Sequence, residues 1–189
     1  MSEVSERMGI TDEVGVKLGK GIMSSARVRG EVIAILRGPD GLVKQIEWGS
    51  NLVTDHGDEH IGERIALDGQ DIVTGMRLGN DSATAASKAG AGSNIVTYIS
   101  GSQEALDAVA VGSDLGSGVG WRQAHVCTWI AGDVTDADIE EAVLTDETPI
   151  TDVAGASGNV VARFIFGTTI DKQAGDSLEV TWNLDALGA

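Results

Sequence analysis

Two histidines four residues apart, His56 and His60 in the run HGDEH, are the residues of this sequence best spaced to do chemistry. On a helix that spacing puts both imidazoles on one face, with Glu59 and Glu63 nearby, and paired imidazoles are a common start to a transition-metal site. The zinc-protease pattern requires a glutamate directly after the first histidine, and Gly57 stands there instead. Two ligands without a third hold zinc poorly. The expectation is therefore a pair of histidines on a helix surface, with no metal ligand assigned.

Three other constellations invite the same question. The acidic residues Asp133, Asp136, Asp138, Glu140 and Glu141 offer hard oxygen donors for calcium, but they lack the alternating Asp spacing and late Glu of an EF-hand, so they read as a solvated turn. The run GSGVG at 116–120 looks like a phosphate cradle, yet it leads into a strand-like stretch where a cradle would open a helix. No nucleophile elbow of the Gly-x-Ser-x-Gly kind surrounds any serine. Cys127, the sole cysteine, has no partner for an intramolecular disulfide and reads as a buried small hydrophobe. No catalytic, cofactor-binding or metal-binding residue is expected, no cofactor is implied, and the chain reads as not an enzyme.

Charge narrows the partners. With 29 acidic against 13 basic residues, a formal charge of −16 repels a phosphate backbone, which argues against direct nucleic-acid binding. The acids are spread along the chain and carpet a folded surface. Seventeen Asp against five Lys also suits a saline, halophilic habitat, where a screening length of about 3 Å at 1 M salt removes the cost of self-repulsion. Neither a signal peptide nor a run of about eighteen apolar residues is present, so no membrane segment is expected and the protein reads as soluble and made in the cytoplasm.

The elements that must position these residues are mainly strands. Residues 1–25 mix four glycines with charges and show little periodicity, which predicts an N-terminal arm; residues 26–189 form one domain. ARVRGEVIAILR, the turn GPDG and LVKQIEW predict a β-hairpin, with Leu42, Ile46 and Trp48 on one half-buried face. Thr54 or Asp55 caps the best helix, which runs to about Leu67. Strands follow at 71–78, 94–99, 121–131 and 139–146, with a Gly/Ala/Ser loop at 79–93. The segments 160–170 and 178–184 read as a C-terminal hairpin whose Phe164, Phe166, Leu178, Val180 and Trp182 fill the core. Trp121, Trp129 and Trp182 are assigned to the core, and Trp48 to a subunit contact. The fold expected is an antiparallel β-sandwich or jelly-roll-like barrel with one short helix.

The order of four segments resembles a recurrent group of small structural proteins of tailed viruses, from bacteriophages or haloarchaeal viruses. The segments are NLVTDHGDEHIGERIA at 51–66, MRLGNDSATAAS at 76–87, CTWIAGDVTDADIEEAVLTD at 127–146 and VVARFIFGTTIDKQAGDSLEVTWNLD at 160–185. Val143 departs from the pattern, standing where glycine is more usual. The resemblance implies a virion subunit of the capsid decoration, cement, turret or head-fibre type: a homo-oligomer whose partners are the major capsid protein or other virion proteins. It carries over no catalytic residue. A tail or baseplate component and a carbohydrate-binding host-adhesion module are the alternatives.

Overall fold

The computed structural model of the chain describes residues 27–66, 72–108, 110–117, 119–152 and 159–187. The arm expected over residues 1–25 lies outside them. The described chain is an antiparallel β-sandwich of two five-stranded sheets with one α-helix, as its alternating patterns predict.

The first sheet is nucleated by the expected hairpin, β1 (Arg27–Arg37) and β2 (Val43–Ser50), closed by a turn in which Gly41 adopts φ 78°. The last strand, β10 (Ser177–Leu187), pairs with β1 over the whole of its length, and β7 (Gly120–Trp129) and β6 (Val111–Asp114) complete the order β2-β1-β10-β7-β6. The second sheet has the order β3-β9-β8-β4-β5, formed by β3 (Leu52–Val53), β9 (Val160–Lys172), β8 (Asp136–Thr145), β4 (Gly75–Gly79) and β5 (Glu104–Ala105). The helix α1 (Asp55–Ala66) follows β3 directly.

The core lies between the sheets. Val32, Ala34 and Leu36 from β1, Leu178, Val180 and Trp182 from β10 and Cys127 and Trp129 from β7 meet Met76, Leu78, Ala142, Leu144, Phe164 and Phe166. Phe164 and Phe166 pack edge to face with ring centroids 5.2 Å apart.

Two expectations about strand pairing are corrected. The segments 160–170 and 178–184 are strands, but they do not pair with each other: β9 lies between β3 and β8, and the turn at Gln173–Asp176 carries the chain across to the other sheet. Crossing the sandwich brings the apolar faces of β9 and β10 to one core from opposite sheets; side by side they would have contributed to the same layer. Residues 94–99 form no strand beyond a single bridge between Gly79 and Tyr98. The backbone N–H groups of Val96 and Thr97 donate instead to the Glu141 carboxylate, both at 3.0 Å, so a side chain takes the place of a ladder.

Those bonds belong to a buried ionic staple. The side chains of Arg163 and Glu141 are fully buried, joined at 2.8 Å, and Arg163 also donates to the carbonyls of Thr84, at 2.8 Å, and Gly92. The Gly/Ala/Ser loop is thereby fastened over the outer face of the second sheet, where Ile95, Val143 and Val160 form a smaller apolar cluster with Tyr98 against it. No helix among the described residues is long and apolar enough to cross a membrane.

Candidate functional site

The site begins with how α1 is seated. Thr54 caps it as expected: its Oγ1 accepts from the N–H of Gly57 at 2.9 Å, and its own N–H donates to the carbonyl of Val161 at 3.0 Å, tying the helix start to β9. Gly57 is required by that contact, because a Cβ there would sit 2.1 Å from the Val161 oxygen. The residue that breaks the zinc-protease pattern is thus a packing residue of the helix's first turn.

So seated, the helix aims both histidines at the end of β8. His56 Nε2 and His60 Nδ1 each lie 2.8 Å from the same atom, Oδ2 of Asp146, one residue past that strand. The two rings stand 6.3 Å apart between centroids. His60 and Asp146 are buried and His56 is half-buried, so the helix-surface reading of the pair is corrected: the helix presents them to the body of the protein. Burial raises the Asp146 carboxyl, but the hydrogen bonds from His60 and His56 outweigh it and hold the group below its ordinary range. His56, His60 and Asp146 are the one set of three ligating side chains that converges among the described residues, with ligand atoms all within 4.8 Å of one another. Asp146 was missed from sequence because nothing local marks it: it lies 90 residues from His56 and 86 from His60.

His60 also lines a cavity of about 510 Å³ at this end of the sandwich, walled by Val28, Ile61, Val73, Trp121 and Leu184 among others. The third and last histidine of the chain, His125 on β7, lines it too. Only 3 % of His125 is exposed, and neither ring nitrogen has a hydrogen-bond partner among the described residues. Burial, aided by the proximity of His60, pushes its pKa down to about 4.

A second candidate surface is the outer face of the first sheet. Trp48 is 74 % and Ile46 54 % exposed, and the register sets them directly against Ile33 and Ile35 on β1, both half-buried. Leu42, Ile46 and Trp48 do share a face, but the expectation that it is half-buried is corrected: it points to solvent. The opposite side of β2 is polar and meets β9, where Glu47 accepts from the Thr168 N–H and Gln45 donates to the Thr169 carbonyl. Farther along the same outer face Arg122 is joined to Asp185 at 2.7 Å and to Glu31 at 3.5 Å, a charged margin beside the apolar centre.

Comparison with known protein families, with curated proteins and with solved structures finds no match.

The remaining candidates separate in space. Of the acidic run, Glu141 turns inward to Arg163, Glu140 accepts from Ser82 and Thr169, and the Asp133 carbonyl accepts from Lys172, so the five do not converge. Gly116 and Gly120 bracket the connection between β6 and β7, and Gly120 at φ 145° packs against the Ala186 carbonyl; the residues described there make a strand-to-strand turn. Cys127 is buried as expected, with its thiol pushed up by burial. Trp129 and Trp182 are fully buried, whereas Trp121 is 49 % exposed, which corrects its assignment to the core. Its indole lies over Gly112 of the edge strand β6.

Proposed function

We propose that this chain is a non-enzymatic structural subunit of a larger assembly, a tailed-virus virion protein of the capsid decoration, cement or turret type. It associates with copies of itself and with the major capsid protein. The observation that supports this reading is the apolar outer face of the first sheet, which no element among the described residues covers. The second sheet is covered on its outside by the loop that Arg163 and Glu141 fasten; the first sheet carries Trp48, Ile46, Ile33 and Ile35 outward on its edge pair. An apolar edge of that kind is a liability for a lone domain and an asset for a subunit. The apolar centre with a charged margin at Arg122, Asp185 and Glu31 has the layout of a protein interface. The order of sequence segments adds the virion context.

The test is association of the full chain, measured by sedimentation and by incorporation into particles, for Trp48→Ser combined with Ile46→Thr. Both side chains are exposed, so the variant keeps the thermal midpoint of the wild type and loses self-association and incorporation. Unchanged association and incorporation would overturn the proposal. The exposure of Trp48 and Trp121 also favours a glycan-binding adhesion module as a second reading. Under that reading the variant binds glycans less well while its oligomeric state is unaltered.

A further inference from the structure

We propose that His56, His60 and Asp146 form a binding site for one divalent transition-metal ion of the zinc class. The inference is independent of the assembly role.

Two imidazole nitrogens and one carboxylate oxygen make an N₂O set on two rigid elements, a capped helix and the end of a core strand. Imidazole donors select first-row transition ions over calcium and magnesium, which demand oxygen. A His-x₃-His pair on one helix face with a carboxylate from elsewhere leaves the fourth position for water or another ligand. Half-buried His56 gives that position a path to solvent, and a surface depression of Thr54, Asp55, His56, Lys88 and Asn94 adjoins it.

Distances decide whether an ion fits. Bonds of about 2.0–2.2 Å in a tetrahedral array separate neighbouring donors by about 3.3 Å. Each histidine now sits 2.8 Å from Asp146 Oδ2, so each gap must open by roughly 0.5 Å, within reach of a small swing of the half-buried His56 and a rotation of the carboxylate. The ion takes the place of the two protons that now bridge the rings to the carboxylate, and each neutral imidazole carries its proton on its other nitrogen. A formal charge of −16 adds a long-range attraction for any cation.

The experiment uses the full chain, free of any histidine tag, stripped with a chelator and titrated with Co²⁺ and then Zn²⁺. One Co²⁺ per chain develops the ligand-field absorption of a four- or five-coordinate ion, and Zn²⁺ displaces it and raises the thermal midpoint. Loss of an outer-shell partner alone weakens metal sites about 10–100-fold, so His56→Ala and Asp146→Asn weaken Co²⁺ binding by at least about that factor. His56→Ala removes a half-buried side chain and serves if Asp146→Asn does not fold. His125→Phe, outside the ligand set, binds as the wild type does. Absence of stoichiometric binding, or binding undiminished in His56→Ala, would overturn the site.

Discussion

Trp182 and His125 are cross-strand partners on β10 and β7, projecting side by side from one face of the first sheet, and neither the indole nitrogen nor either imidazole nitrogen makes a hydrogen bond among the described residues. Each of these two buried side chains has a measurable consequence.

For His125 the consequence is acid sensitivity. Its folded pKa of about 4 lies below the ordinary 6.5, so between those values the unfolded chain takes up a proton that the folded chain refuses. Stability is fully present above pH 6.5 and is lost as pH falls towards 4, by on the order of 3 kcal/mol in all. Asp146, Asp176 and Asp185, whose carboxyls are held below 3.8, act only at still lower pH. Urea midpoints between pH 7 and 4.5 should therefore fall more for the wild type than for His125→Phe, because the Glu141 and Glu104 carboxyls, raised by burial, contribute equally to both; parallel slopes would show that His125 is not the titrating group.

For the tryptophans the consequence is a difference between two fully buried indoles. Trp129 donates its Nε1–H to the carbonyl of buried Ser102 at 2.9 Å, whereas the Trp182 indole finds no acceptor among the described residues. Truncating Trp182 to alanine costs about 3–5 kcal/mol from the lost burial and the cavity left behind. Trp129→Phe strands the Ser102 carbonyl and adds about 1–3 kcal/mol that Trp182→Phe does not incur. Denaturant midpoints of the two phenylalanine variants test the ranking, and a less stable Trp182→Phe would contradict it.

Removing one partner of the Arg163–Glu141 pair leaves the other charge buried and unpaired, at a cost of about 3–5 kcal/mol. Pairing Arg163→Met with Glu141→Leu removes both charges but does not restore the wild-type midpoint. The N–H groups of Val96 and Thr97 lose their acceptor, and the carbonyls of Thr84 and Gly92 lose their donor. Hydrogen exchange over residues 80–99 reads the result directly: protection there should collapse in the double variant while β10 stays protected.

Local pattern by itself determined a good part of this protein. The hairpin of β1 and β2, the Thr54-capped helix and the alternation along β7 and β10 are legible because capping, turn chemistry and period-two burial act over a few residues. The apolar set Phe164, Phe166, Leu178, Val180 and Trp182 follows from the same alternation. Tertiary structure alone decided what covers each face. Alternation says that Leu42, Ile46 and Trp48 share a side; it cannot say that among the described residues no layer packs over this side. It says that β9 and β10 are apolar on one side, but strand order sent them to opposite sheets. The spacing of His56 and His60 is written in the helix, while Asp146 reaches them only because β8 ends where α1 begins, a coincidence of two distant segments that no local pattern encodes.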